Sequence, residues 1–314
     1  MPPKILVISG PTASGKTRLA VELALRHGGE VVSADSMQVY RRMDIGTAKP
    51  TPEEMRGIPH HMLDVADPEE DFSVARYVEL AAPCVDDILA RGKLPIVAGG
   101  TGLYLDSLLS GRTFAPFSPD GGLRARLEAR FDALGGEAML GELAAADPEA
   151  AARLHPNDRK RIVRALEVFQ QTGKTISQHN RETRALPLRY DALTLSLAFQ
   201  CREDMWARID RRVDEMMAAG LAEEVRALLD SGVPVRCTAM QAIGYKEMAA
   251  ALRGGGDVCA AAEEIKLRSR QYAKRQLTWF RHTEGAKWLF WGPEPDFEAA
   301  CRTSTKYLEE FGLV

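Results

Sequence analysis

The sequence predicts an α/β protein built on a doubly wound parallel sheet and interrupted by a helical insertion. Three observations predict it. In the N-terminal third, short continuous apolar runs alternate with helical patterns. Those runs end in small, polar or acidic residues, the place where such sheets bind ligands. Residues 123–184 then read as helix without a convincing strand. A length of 314 residues fits either two domains or one core with a large insertion.

Ile5–Ile8 is a buried parallel strand by its unbroken apolar run, closed by Ser9-Gly10. Residues 15–27 carry Leu19, Leu23 and Ala24 on one helical face. Val31-Val32 is a second strand, ending at Ser33-Ala34-Asp35-Ser36. Val74–Arg91 reads as helix, and Leu94–Ala98 as a strand closed by Gly99-Gly100-Thr101-Gly102. Residues 115–122, Ala-Pro-Phe-Ser-Pro-Asp-Gly-Gly, form a turn or linker. Leu193–Phe199 returns to the sheet, and helices follow over 203–219, 221–231, 238–253 and 258–281. Trp288–Trp291 is a final edge strand. The expected division is a core of 1–112 with 190–314, and an insertion of 113–189.

A hydrophobic content of 45% with 27% charged residues excludes a disordered chain. Cys84, Cys201, Cys237, Cys259 and Cys301 are scattered and form no CxxC pair, which argues against zinc and disulfides. No apolar run approaches the ~18 residues of a membrane span, and Met1-Pro2-Pro3-Lys4 opens no signal peptide. A cytoplasmic monomer without membrane contact is expected. The net charge of −3 requires any nucleic-acid surface to be a local patch.

Gly10-Pro11-Thr12-Ala13-Ser14-Gly15-Lys16-Thr17 matches GxxxxGK[ST] between a strand and a helix. Its glycines let backbone N–H groups turn toward phosphate oxygens, and the helix N-terminus adds favourable potential. Lys16 supplies a point charge, and the Thr17 hydroxyl can coordinate Mg²⁺. The core is therefore P-loop NTPase-like. The motif specifies a polyphosphate with Mg²⁺ and not ATP as such. A nucleotide kinase would also show an acid at a later strand end, whereas Leu94–Ala98 ends in Gly-Gly-Thr-Gly. Asp35 is the nearest strand-end carboxylate. It can hold Mg²⁺ through water, accept a proton, or cap the next turn. Thr101 can hydrogen-bond a substrate or cap the following helix. Arg208, Arg211 and Arg212 follow the return strand, and any of them could reach a diphosphate.

Residues 151–189 hold nine basic side chains against three acidic ones, a surplus of six that favours phosphate-backbone contacts. On the helix over 159–171, Ile162, Leu166 and Phe169 share one face, with Lys160 and Arg164 roughly opposite. On the helix over 258–281, Ile265, Tyr272 and Trp279 line one side and read as core. Arg270, Lys274 and Arg281 line the other. Two such basic surfaces suit a polyanion much larger than a metabolite. A P-loop kinase and a nucleotide-dependent RNA-binding switch are the competing readings.

Several segments in this order resemble the bacterial tRNA dimethylallyltransferase, or tRNA isopentenyltransferase, family. They are the phosphate motif, Ser33-Ala34-Asp35-Ser36-Met37-Gln38, Gly46-Thr47-Ala48-Lys49-Pro50, Gly99-Gly100-Thr101-Gly102-Leu103-Tyr104, Gln241-Ala242-Ile243-Gly244-Tyr245-Lys246 and Lys274-Arg275-Gln276-Leu277-Thr278-Trp279. The resemblance implies transfer of a dimethylallyl group from dimethylallyl diphosphate to N6 of adenosine 37, beside the tRNA anticodon. It implies a P-loop holding diphosphate with Mg²⁺, Asp35 as general base, Thr101 contacting the base, and Arg212 at the diphosphate with Arg211 as rival. It further implies that Asp35, Ser36, Met37 and Gln38, with Thr101, grip the tRNA. Arg159, Lys160, Arg161, Ile162 and Val163 would meet the anticodon arm. So would Gln241, Ala242, Ile243, Gly244, Tyr245 and Lys246, and then Lys274, Arg275, Gln276, Leu277, Thr278, Trp279, Phe280 and Arg281. No role is implied for His60 or His61.

Overall fold

A computed structural model describes residues 2–111, 114 and 122–314. The expected turn at 115–122, apart from Gly122, and the boundary at 112–113 lie outside the described residues. The described strands are β1 (Lys4–Ser9), β2 (Gly29–Ser33), β3 (His60–His61), β4 (Leu94–Gly99), β5 (Asp191–Phe199) and β6 (Lys287–Trp291). The helices are α1 (Lys16–His27), α2 (Pro52–Met55), α3 (Val74–Ala90), α4 (Gly102–Leu109), α5 (Gly122–Leu134), α6 (Gly136–Ala146), α7 (Pro148–Ala151), α8 (Arg159–Thr172), α9 (Ile176–Arg184), α10 (Arg202–Ala218), α11 (Leu221–Asp230), α12 (Tyr245–Gly254), α13 (Val258–Phe280) and α14 (Phe297–Phe311).

All strand pairs are parallel, in the order β3-β2-β4-β1-β5-β6. The central strands β1, β4 and β5 are buried on both faces, which is why they read as continuous apolar runs. The chain moves from β1 out to β2 and back through β4, then crosses to β5 on the other side of β1. The loops after β1, β2 and β4 therefore emerge together at the carboxyl end of the sheet. Leu6, Ile8, Leu19, Leu23, Ile96 and Leu195 pack the core beneath them.

The chain divides into two compact units, Met1–Leu109 with Arg189–Val314, and Ser110–Leu188. The first contains the whole sheet. The second holds α5–α9 around a core that includes Leu127, Met139, Leu143, Ile162 and Leu166. Its buried Glu167 accepts from Arg124 at 2.8 Å and Arg164 at 2.7 Å.

Two expectations need correction. The stretch 238–253 is not one helix. A 3-10 turn at Ala239–Gln241 is followed by extended Ala242 and by Gly244 at φ 99°, and only then by α12. That backbone path favours glycine and cannot continue a right-handed helix. The charge surplus of 151–189 is also smaller than the window suggests, because three of its cations meet Glu149 or Asp132, acids outside that window. Arg153 pairs with Glu149, Arg159 with Asp132, Arg164 with Glu167, Lys174 with Glu182 and Arg181 with Glu149. His60 and His61 form the edge strand β3. The His61 ring meets Glu30 at 2.8 Å, and the His60 ring meets the Ile58 carbonyl at 2.9 Å.

Candidate active site

The phosphate loop leaves β1 through Gly10, where an added Cβ would lie 2.9 Å from the Leu197 carbonyl oxygen. It passes Ala13 at φ 61° and enters α1 through Gly15 at φ 81°. A Cβ on Gly15 would lie 2.7 Å from the Phe297 ring of α14. Behind the loop, the Trp291 indole donates to the Ser14 carbonyl at 2.8 Å. The loop is thus braced from β6 and α14. The sequence reading missed α14, although Asp296 caps its start and Gly312 follows its end.

Two cations rest on the loop's own carbonyls. Lys16 Nζ donates to Pro11 O at 2.7 Å, and Arg208 Nε donates to Ala13 O at 3.0 Å. Burial pushes the Lys16 ammonium pKa down to about 7, against the pull of Asp35, and Arg212 adds to the depression. Burial likewise lowers the pKa of the Arg212 guanidinium, with Asp35 opposing. Lys16, Thr17, Asp35, Arg208, Arg211 and Arg212 line one cavity of about 660 Å³. Arg212 lies deep in it beside Asp35 and Lys16, while Arg211 is exposed. Arg208 joins Lys16 and Arg212 in that lining.

Asp35 follows β2 and is half-buried. Its Oδ1 accepts the Met37 N–H at 2.9 Å, so it does cap the next turn while lining the cavity. Thr101 precedes α4, and its carbonyl accepts the Tyr104 and Leu105 N–H groups at 2.9 and 3.2 Å, while its side chain turns to the Asp35 loop. Its Oγ1 accepts the Ser36 N–H at 3.1 Å, and its own N–H donates to the Ala34 carbonyl at 3.2 Å. The glycines of β4 now have a reason. A Cβ on Gly99 would lie 2.1 Å from Ala34 O, and one on Gly100 would lie 2.4 Å from Gln276 Nε2. At Gly99 the Ala34 backbone leaves no room for a side chain, an acid included.

Several residues expected at the tRNA are occupied inside the fold. Gln38 accepts from Ser33 Oγ at 3.0 Å and donates to the Thr47 and Ala48 carbonyls at 3.3 and 3.1 Å. Ile162, Val163, Ala242, Gly244, Tyr245, Gln276 and Phe280 are buried. Tyr245 donates to Glu224 at 2.5 Å. Glu224 also accepts the N–H groups of Asp44, Ile45 and Gly46 at 2.8, 2.9 and 3.1 Å, which fixes that cavity wall. Arg159 is committed to Asp132 at 2.5 Å. Leu277 packs against the core.

Other candidates stay at the surface. Lys160, Arg161, Gln241, Lys246, Lys274, Arg275, Thr278, Trp279 and Arg281 are exposed, and Ile243 is half-buried. Lys274, Arg275, Thr278 and Trp279 line a groove of about 820 Å³ on α13. Trp279 was expected in the core, yet it is 45% exposed and donates to Asp106 at 3.1 Å. Arg270 was expected among the free cations, yet it is bound to Asp210 at 2.6 Å. Among the described residues, no cluster of three or more His, Cys, Asp or Glu side chains could hold a metal. Thr17 and Asp35 share the cavity, a sparse oxygen set that suits Mg²⁺, which keeps waters and takes phosphate oxygens from its substrate.

Fold and site together define a P-loop α/β enzyme whose phosphate cradle faces a carboxylate on the neighbouring loop. Comparison with known proteins carries this further. The chain belongs to the IPP transferase family, that of the tRNA dimethylallyltransferases. The IPP transferase sequence model matches residues 38–283, and an isopentenyl transferase model matches residues 3–70. The chain is 46% identical to the tRNA dimethylallyltransferase of Acetivibrio thermocellus, covering 98% of each chain. It is 50% identical to tRNA dimethylallyltransferase 1 of Trichlorobacter lovleyi, covering 92% of this chain and 94% of that one. Its structure resembles the tRNA isopentenylpyrophosphate transferase of Bacillus halodurans, with a TM-score of 0.71, 41% identity and coverage of 98% and 96%. It also resembles a eukaryotic dimethylallyltransferase that acts on tRNA, with a TM-score of 0.81, 30% identity and coverage of 98% and 78%. Among the described residues, no helix is long and apolar enough to cross a membrane.

Proposed function

We propose that this chain moves the dimethylallyl group of dimethylallyl diphosphate to N6 of adenosine 37 in tRNA and releases diphosphate. One observation carries the reading: Asp35, a carboxylate on the loop beside the phosphate cradle, shares a cavity with Lys16, Arg208 and Arg212. An exocyclic amine is a poor nucleophile because its lone pair is delocalised into the ring. Help is needed at both ends. The N6 nitrogen bonds to C1 of the allyl group as the C1–O bond breaks, and diphosphate leaves with the bonding electrons. The N6 proton passes to the free oxygen of Asp35. Met37, bonded to the other oxygen, holds the carboxylate in place.

On the leaving side, Lys16, Arg208 and Arg212 exchange backbone or buried surroundings for phosphate oxygens. Thr17 would hold Mg²⁺ there, and the ion would supply further neutralisation of the leaving group. Thr101 keeps Ser36, and with it the Asp35 loop, facing the base. The adenine must leave its stack to reach this carboxylate, and a single-stranded loop makes extrusion easy. The exposed Lys274, Arg275 and Trp279 suit the flanking RNA.

The test is incubation of the full chain with labelled dimethylallyl diphosphate and unmodified tRNA, with ATP titrated in parallel. Label is expected on the RNA. Tight ATP binding with no diphosphate-ester binding and no transfer would establish a kinase instead.

A further inference from the structure

Gln276 lies on α13 with its side chain turned into the molecule, and it is 6% exposed. Its Oε1 accepts the Thr12 N–H at 2.9 Å, and its Nε2 donates to the Gly100 carbonyl at 2.8 Å. Both polar ends are thus used on two separate loops. Thr12 belongs to the phosphate loop. Gly100 precedes Thr101, which holds Ala34 and Ser36 on either side of Asp35. The ladder between β1 and β4 ends with Ser9 opposite Gly99. Gln276 carries the connection past that last pair, into the region where the chemistry takes place.

We propose that Gln276 is a positioning residue that sets the separation between the phosphate cradle and the acceptor carboxylate. This rests on the transfer reading above. Burying an amide costs free energy unless both ends are bonded, and here both are, whereas an apolar side chain would leave the Thr12 N–H and the Gly100 carbonyl without these partners. An amide is suited to the task because one planar group accepts at one end and donates at the other. An ionised carboxylate cannot donate to Gly100. A Cβ on Gly100 would lie 2.4 Å from Nε2, so a side chain there would displace the amide. Transfer requires N6 and C1 to meet near van der Waals contact, and an error of about 1 Å can cost roughly 100-fold. A link between the two loops therefore acts on the rate more than on the affinity for RNA.

The test compares the full-length chain with its Gln276→Leu and Gln276→Glu variants. The readouts are label transfer, calorimetric binding of inorganic diphosphate, tRNA binding and thermal melting. For Gln276→Leu, kcat is expected to fall about 10- to 100-fold. Inorganic diphosphate binding should weaken a few-fold, with the tRNA dissociation constant within about twofold of wild type. For Gln276→Glu, protonation restores a donor toward Gly100. Its kcat relative to wild type is therefore expected to rise as the pH is lowered from about 8 to about 6. The proposal is overturned by a Gln276→Leu enzyme with wild-type kcat, by a loss confined to tRNA binding, or by a Gln276→Glu deficit that does not change with pH. Should Gln276→Leu not fold, the Gln276→Glu profile decides. A wild-type chain that transfers no label overturns the transfer reading. Unchanged diphosphate affinity in Gln276→Leu overturns the positioning role by itself.

Discussion

At the amino end of the sheet, Glu30 is 2% exposed and surrounded by cations. Arg91 and Lys93 donate to it, and the His61 ring lies 2.8 Å away. At the carboxyl end the cations bind something other than the carboxylate. Lys16, Arg208 and Arg212 share one cavity with Asp35, and two of them rest on backbone carbonyls. The first arrangement is complete in the folded chain. The second holds positive charge that an incoming diphosphate would neutralise. A carboxylate among cations is thus structural where the cations bind it, and functional where they stay available to another anion.

The largest expected effect separates the two carboxylates. Asp35→Ala should lower the single-turnover rate of label transfer by roughly 10²–10⁴, while tRNA binding and melting temperature hold. Full turnover in that variant would remove Asp35 as the base.

Glu30→Gln should behave in the opposite way, leaving transfer intact in the cold while chemical denaturation reports a loss of about 1–3 kcal/mol. Its partners are partly exposed, which keeps the figure modest. The hydrogen bonds from Arg91, chiefly, hold the Glu30 pKa below its ordinary 4.5. Its contribution to stability is therefore complete above that value and fades as the pH falls below it. Wild type should lose this increment in acid, and Glu30→Gln should show no such loss. Equal acid sensitivity in both would show that the cluster contributes little.

The smallest effect contrasts a free cation with a paired one on α13. Lys274→Gln should flatten the dependence of log K on log salt for tRNA by about 0.7–0.9. Arg270→Gln should leave it unchanged, because Asp210 already neutralises Arg270. A flattened slope for Arg270→Gln would mean that RNA breaks this ion pair.

The inner strands were legible because burial on both faces leaves an unbroken apolar run, as in β1 and β5. β3 was not, since two histidines at the sheet edge carry no such run. α14 was missed because much of its buried face is Ala300, Cys301 and Ser304, small residues with a weak apolar signal. In the candidate site, the phosphate loop is contiguous and could be read directly. Arg208, Gln276, Trp291 and Phe297 reach that loop from far along the chain, and no local spacing announces them. Charge was misjudged for the same reason: Arg159 and Arg270 find their acids 27 and 60 residues away.

The tight contact at Gly99 closes one position to any side chain. Hydrolysing a nucleoside triphosphate on this scaffold would call for an acid beside the cradle, and the natural place is the tip of β4. With only 2.1 Å between an added Cβ and the Ala34 oxygen, even alanine would push that strand off its neighbour. An acid at that position would first require β4 to move away from β2, so the acids of this cavity stand on other segments, Asp35 among them.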